Sequence, residues 1–169
     1  EVYKMERVRT AVIGVGSMGG THVRACSEMP QCKLVAVADI DITRGQGIAD
    51  RYGCKFYQDY NTMLKNERLD FVVVAVPTSL HKAVALDVIN YGLNLFGVKP
   101  ITSTVQDALE IINHAKKKNV KFTVGHIERF NPAVTSLKNL IDKGEIGDIT
   151  TIYAKRVGVA PPQILDVNI

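Results

Sequence analysis

At 169 residues, with 46% hydrophobic and 22% charged side chains and a net charge of +4, the chain has the composition of an ordinary folded domain. Its apolar content is too high and its net charge too low for disorder, and no uncharged apolar run reaches the roughly 18 residues of a membrane span. Three cysteines cannot all pair within one chain, so a disulfide scaffold is excluded. The length suits one domain, or one complete domain and part of another. Lysine and arginine are spread along the chain. The one run, Lys116-Lys117-Lys118, closes a predicted helix and complements its dipole; the other reading, a nucleic-acid patch, has no recognition motif beside it. Neither a nucleic-acid nor a membrane partner is expected. Cys26, Cys32 and Cys54 lack CxxC spacing and read as free buried thiols, and no metal site is expected. The first ten residues have no signal-peptide core, which with the free thiols predicts a reducing cytoplasm. Met5 reads as the natural start, with Glu1 to Lys4 foreign to it.

The first strong element is a strand over Val8–Ile13, rich in β-branched residues and followed at once by glycines. A helix is predicted over about Met18–Met29, then a strand over Lys33–Ala38 that ends at Asp39. A second helix over Thr43–Tyr52 is weakened by Gly45 and Gly47. A short strand at Lys55–Tyr57 and a helical turn at Asp59–Lys65 come next. Leu69–Val76 reads as the most buried strand, continuously apolar as when both sheet faces are covered, and Pro77 ends it. Thr78 or Ser79 caps a helix that runs to about Tyr91 and is closed by Gly92. A strand at Leu93–Phe96 follows. Thr104 and Asp107 resemble a capping box ahead of a helix whose predicted buried face is Val105, Ala108, Leu109 and Ile112. Val120–Val124 is the next strand. Asn131 and Pro132 open another helix with Val134, Leu137 and Ile141 on its apolar face. Asp148–Val157 alternates as a strand does, and Leu165–Ile169 looks like an interrupted strand. Strand and helix alternate throughout, which predicts βαβ units and a parallel sheet. A boundary falls near Gly125, giving a first domain over 1–124 and the start of a second over 125–169.

Gly14-Val15-Gly16-Ser17-Met18-Gly19 fits GxGxxG, and its place between a predicted strand and a predicted helix is the context that gives the match weight. Gly14 makes the tight turn, Gly16 lets backbone approach a pyrophosphate, and Gly19 lets helix pack close to strand. The helix N-terminus then turns free N–H groups toward the phosphates. Asp39 ends the second strand 20 residues after Gly19, where an acid accepts from the ribose hydroxyls of an adenosine. A carboxylate there repels a 2′-phosphate, so NAD is expected over NADP, a preference that Arg44 softens if it points inward. Ser17 and Met18 join the glycines as candidate cofactor contacts. Val76, Pro77 and Thr78 lie at the carboxyl end of the long central strand, the edge where open α/β sheets bind ligands. His81 either lines the nicotinamide end or merely covers the helix start.

With these motifs in order, the chain resembles the Gfo/Idh/MocA oxidoreductases, named for glucose–fructose oxidoreductase and inositol dehydrogenase. The resemblance covers essentially the whole chain and rests on AVIGVGSMGGTHVRA, VADID, VVVAVPTSLH, GVKPIT, GHIERFNPAV and KGEIGDI. It implies a Rossmann doubly wound parallel sheet followed by the beginning of a second α/β domain. It also implies an NAD-dependent dehydrogenase that moves hydride between nicotinamide and a secondary alcohol of a sugar, nucleotide sugar or cyclitol, with that small molecule as its partner. Lys99 matches the lysine of the family's Glu-Lys-Pro motif, near the nicotinamide and the reacting hydroxyl. The resemblance implies that it orients the hydroxyl, stabilises the alkoxide or relays a proton; the alternative is a solvated lysine before a turn-forming proline. The Lys99–Pro100 bond is expected to share the family's cis arrangement.

Two departures stand out. Val98 replaces the family's usual glutamate, which removes a carboxylate beside Lys99. Full family members are roughly twice as long, and their catalytic histidine, in an Asp-x-x-x-His segment, is expected just past residue 169. The alternative function is therefore a catalytically incomplete NAD-binding module, a fragment or a regulatory Rossmann protein. His126 and Arg129, in the family's interdomain segment, are candidate substrate contacts, though a structural pair with Glu128 suits Arg129 better. GHIERFNPA resembles the nucleotide-sugar 3-dehydrogenases. A homo-oligomer is expected for a complete chain.

Overall fold

The structure, a computed structural model, describes residues 6–155 and residue 157. The expectations for Met5 with Glu1–Lys4 and for Leu165–Ile169 lie outside the described residues. The described residues form two compact units that part between Gly125 and His126.

The first unit carries six strands: β1 (Val8–Ile13), β2 (Cys32–Ala38), β3 (Lys55–Tyr57), β4 (Phe71–Val74), β5 (Asn94–Gly97) and β6 (Phe122–Val124). Between them run α1 (Ser17–Glu28), α2 (Ile42–Tyr52), α3 (Tyr60–Asn66), α4 (His81–Asn90) and α5 (Val105–Lys118). All strand pairs are parallel and the sheet order is β3-β2-β1-β4-β5-β6. The order reverses between β1 and β4, as in a doubly wound sheet.

The sheet is covered on both faces, and its central strands are continuously apolar where they are buried, over residues 11–13 of β1 and 72–74 of β4. In β1, Ala11 and Ile13 face one cluster and Val12 the other; in β4, Val72 and Val74 face one and Val73 the other. The period of two sorts each strand onto both sides. Met63, Val84, Val88, Ile111 and Ala115 cover the first face, from α3, α4 and α5. Val23, Cys26 and Ala49 cover the second, from α1 and α2. Burial raises both the Cys26 and Cys54 thiols to about 11, so they are poor nucleophiles.

Four local readings are corrected. β4 ends at Val74, short of the expected Val76, because the chain turns there toward a 3-10 turn at Thr78–Leu80 and Pro77 has no N–H to extend the ladder. That turn precedes α4, whose cap position is Leu80 without a side-chain bond, in place of a cap from Thr78 or Ser79. On α5 the buried stripe is Ile111 and Ala115 flanked by Ala108 and Ile112, while Val105 and Leu109 are exposed; the apolar face is turned about a sixth of a turn round the helix from the one predicted. The Thr104 cap itself forms, its hydroxyl oxygen accepting from the Asp107 N–H at 3.2 Å. Gly45, expected only to weaken α2, is a packing position: a Cβ there would fall 2.1 Å from the Phe56 ring.

The second unit contains a 3-10 turn, Ile127–Phe130, and α6 (Pro132–Asp142). Asn131 caps α6 by accepting from the Ala133 N–H at 3.0 Å, and Pro132 takes the first helical position. Val134 and Leu137 are exposed and Ile141 half-buried, so no described residue buries the expected apolar face. Residues 148–155 form no strand. Alternation provides a face, but a strand also needs a neighbour to pair its backbone, and no described residue supplies one. No helix among the described residues is long and apolar enough to cross a membrane.

Candidate functional site

The register brings the last residues of the central strands into one row. Ala38 pairs with Ile13, Ile13 with Val74, Val74 with Gly97, and Gly97 with Val124. The next residue of each strand therefore lies on the carboxyl edge of the sheet: Asp39, Gly14, Ala75, Val98 and Gly125. Backbone bonds carry the ladder one step further, from Gly14 N–H to Ala38, Ala75 N–H to Ile13, Val98 N–H to Val74 and Gly125 N–H to Gly97. From Asp39 to Val98 is three strand spacings, roughly 14 Å.

Gly14 sits at φ +82°, and a Cβ there would meet the Ala75 carbonyl oxygen at 2.6 Å. A Cβ on Gly19 would lie 1.8 Å from the Gly14 carbonyl oxygen, so α1 packs on its own loop at a distance that only glycine allows. Gly16 differs: a Cβ there meets nothing within 4 Å. Its backbone faces open space, a cradle that a side chain would fill. Gly16 is also the cap residue of α1, which has no side-chain cap and no acid in its first turn. The helix N-terminus is thus left to an external anion. Ser17 and Met18, in that first turn, are exposed. The geometry fits a dinucleotide's pyrophosphate.

Asp39 is 8% exposed and every acceptor position of its carboxylate is used. Oδ2 accepts from the Val15 N–H at 2.8 Å and from Arg44 Nε at 3.3 Å. Oδ1 accepts from the Asp41 N–H at 2.9 Å and from Arg44 Nη2 at 2.8 Å. Burial pushes the carboxyl upward, but the Arg44 guanidinium and the two backbone N–H groups outweigh it and hold Asp39 below its ordinary value. Arg44 does point inward, and a ribose hydroxyl would have to displace it to reach Asp39. Ile40 was missed in the sequence. It is 84% exposed directly after the acid, an apolar ledge beside the expected adenosine position. The available signal was an isoleucine following the strand-end acid, where a solvent-facing loop favours polar residues.

Beyond the switch between β1 and β4, Val76 is half-buried, Pro77 exposed and Thr78 buried. His81 is buried and its ring nitrogens face backbone carbonyl oxygens, so it presents neither to a ligand. Lys99 is exposed, one residue past the Val98 ladder bond, and the Lys99–Pro100 bond is cis. No carboxylate pairs with Lys99 among the described residues. Gly14, Gly16, Gly19, Asp39, Val76, Pro77, Thr78 and Lys99 thus share one edge. His126 and Arg129 belong to the second unit, at and within the turn before α6, and both are exposed. Glu128 accepts from the Asn131 side-chain amide at 2.9 Å.

A sheet in this order, with a glycine cradle and a strand-end acid on one edge, defines a dinucleotide-binding α/β fold. The chain belongs to the Gfo/Idh/MocA family, an oxidoreductase family with an NAD-binding Rossmann fold, whose sequence pattern matches residues 8–126. It is 32% identical over 154 residues to 2,7-anhydro-N-acetylneuraminate hydratase of Mediterraneibacter gnavus, covering 91% of this chain and 41% of that protein. It is 33% identical over 150 residues to inositol 2-dehydrogenase 1 of Saccharopolyspora erythraea, covering 86% and 44%. Among solved structures, UDP-N-acetylglucosamine 3-dehydrogenase of Acidithiobacillus ferrooxidans superposes with a TM-score of 0.73 at 30% identity, covering 80% and 44%. The chain therefore spans less than half the length of these relatives.

Proposed function

We propose that residues 1–124 form the cofactor domain of an NAD-dependent dehydrogenase, and that 125–169 open its substrate and oligomerisation domain. The substrate we infer is a secondary alcohol of a sugar, nucleotide sugar or cyclitol. The observation that carries the reading is the single edge that joins the open Gly16 cradle, the ionised Asp39 and the exposed Lys99. Gly14, Gly16, Ser17, Met18 and Gly19 hold the pyrophosphate through backbone N–H groups. Asp39 takes the adenosine ribose once Arg44 swings aside, and its negative charge disfavours a 2′-phosphate. Arg44, 45% exposed, is the counterweight that leaves NADP a weaker second cofactor. Val76, Pro77 and Thr78 form the floor at the nicotinamide end, with His81 buried beneath. Lys99 orients the substrate hydroxyl by donating to its oxygen and offsets the negative charge that develops on that oxygen. Bound nicotinamide supplies the hydride chemistry. Arg129 and His126 meet the substrate from the second domain. A homo-oligomer in the cytoplasm, where Cys26, Cys32 and Cys54 stay reduced, completes the proposal.

Calorimetric titration of this chain with NAD⁺, NADH, NADP⁺ and NADPH tests the cofactor half. Saturable binding that favours the non-phosphorylated pair is expected, and no binding by folded protein overturns it. The chemistry is tested in the complete protein against cyclitols, sugars and nucleotide sugars, read as NADH. Lys99→Ala should lower turnover by about 10²–10⁴-fold while NAD⁺ affinity stays within about twofold; undiminished turnover rejects the role. The hydratase among the relatives marks the other outcome, conversion of a sugar without accumulation of NADH.

A further inference from the structure

His81 opens α4 with 4% of its surface exposed. Its Nδ1 lies 2.8 Å from the carbonyl oxygen of Pro100 and 3.2 Å from that of Ile101. Its Nε2 lies 2.9 Å from the carbonyl oxygen of Val76. A carbonyl oxygen can only accept. A neutral imidazole carries one N–H, so it would satisfy one side and set a bare lone pair against an oxygen on the other. A ring with two N–H groups satisfies both. Among the described residues the ring nitrogens have no other hydrogen-bond partner. The small cavity beside the ring is lined by Val74, Ala85, Leu95, Gly97, Ile111 and Phe122, none of them titratable. Lys82, next along α4, is held by Asp107 and Glu110 of α5. Burial of a cation is costly, and the three carbonyl oxygens, each the negative end of a peptide dipole, supply the hydrogen bonds that offset that cost.

We infer that His81 is a positioning residue: an imidazolium that bridges the loop after β4 to the loop after β5 and so fixes the floor on which Lys99 stands. The placement is specific. Val76 lies two residues past β4, and Pro100 and Ile101 lie just past β5. The last ladder rung between these strands is the bond from Val98 N–H to Val74. Lys99 sits between that rung and the His81 bridge, so its backbone is pinned on both sides. The inference rests on the proposed function in one respect, that this floor carries the nicotinamide.

Two measurements on the chain test it. The first needs no cofactor. Nitrogen–proton correlation spectra of ¹⁵N-histidine-labelled protein near neutral pH, with His81 assigned by its loss in His81→Phe, should show both ring nitrogens bearing hydrogen. One bare nitrogen overturns the bridge. The second compares NAD⁺ with ADP-ribose, which lacks the nicotinamide, by calorimetry. His81→Phe keeps a ring of similar size without the N–H groups. It should weaken NAD⁺ about tenfold and ADP-ribose by less than about twofold. The effect comes from release of the backbone floor, which Lys99→Ala leaves intact. Equal weakening of both ligands reduces His81 to general stability and overturns the positioning role. If the wild-type chain binds ADP-ribose but not NAD⁺, the nicotinamide floor is wrong. If it binds neither, the cofactor reading itself falls and the positioning role falls with it.

Discussion

Adding one methyl group at Gly16 and at Gly19 separates binding from folding within a single loop. At Gly19 the new Cβ would sit 1.8 Å from the Gly14 carbonyl oxygen, whereas ordinary contact begins near 3.4 Å. Backbone on one side of the contact must therefore yield by about 1.6 Å, in a loop already tied by the Gly14 N–H to Ala38. Overpacking of this kind costs about 1–3 kcal/mol. For a chain of this length that lowers the melting temperature by roughly 2–4 °C per kcal/mol. At Gly16 the backbone is at φ −62°, ψ −161°, open to any residue, and the methyl group meets nothing. Gly16→Ala should then leave the free chain unharmed, or firmer by about 0.4–1 kcal/mol through the lost freedom of the unfolded state. Yet it places a methyl group where the pyrophosphate must approach, and NAD⁺ affinity should fall by at least about tenfold, 1.4 kcal/mol. Urea denaturation without cofactor and calorimetry with NAD⁺ read the two effects separately. A Gly16→Ala chain that binds NAD⁺ as tightly as wild type refutes the cradle. A Gly19→Ala chain as stable as wild type refutes the close packing of α1 on its loop.

Arg44→Ala frees two acceptor positions on Asp39 and removes the nearest positive charge, so the ratio of NAD⁺ to NADP⁺ affinity should rise; a fall would mean that Arg44 aids NAD⁺ rather than competes with it. Asp39→Asn should cost about 1–2 kcal/mol at neutral pH, discounted because Arg44 is half exposed. The pH dependence has a definite sign. Asp39 is held below its ordinary value of 3.8, so the folded chain sheds this proton more readily than the unfolded one. Its contribution is complete above that value and is lost as pH falls through the lower folded value. The stability gap between wild type and Asp39→Asn should therefore narrow in acid, below about pH 3.8. Denaturation curves from neutral pH to acid measure it, and a gap that widens in acid contradicts the assignment.

The central sheet was legible because each strand is a short apolar run closed by a residue with a backbone reason to stop. Gly14 and Asp39 mark two of those stops, which the parallel register turns into one edge, while Pro77 lies three residues past the end of β4. The glycine roles were equally open to reading, since a missing Cβ is a local property. Less legible were features that depend on distant backbone. The α5 face turns by about a sixth of a turn because Thr104 fixes where the helix starts, not which stripe packs toward α4 and the core. The strand predicted over Asp148–Val157 needs a partner that no described residue provides. Arg44 was read as a possible modifier, but that it fills two of the four acceptor positions of Asp39 depends on a side-chain direction.

His81 shows the limit most clearly. Next to Pro77 and Thr78 it read as either a lining residue or a helix-start residue, because the sequence shows only its own helix. Its ring nitrogens are used by carbonyls from two loops that follow different strands, 5 residues before it and 19 and 20 after it. Such a position carries no local periodicity and no motif spacing. What selects a histidine there is hydrogen-bond arithmetic in a buried place. Two oxygen acceptors on opposite sides of a flat ring require two donors, and among ring side chains only imidazolium supplies them. Phenylalanine, tyrosine or tryptophan would leave at least one of these part-buried carbonyls without its ring donor, at a cost of up to about 1–3 kcal/mol. The glycine loop and Asp39 can be read from residue types in order. The floor under Lys99 becomes visible only when donors and acceptors are counted across the sheet edge.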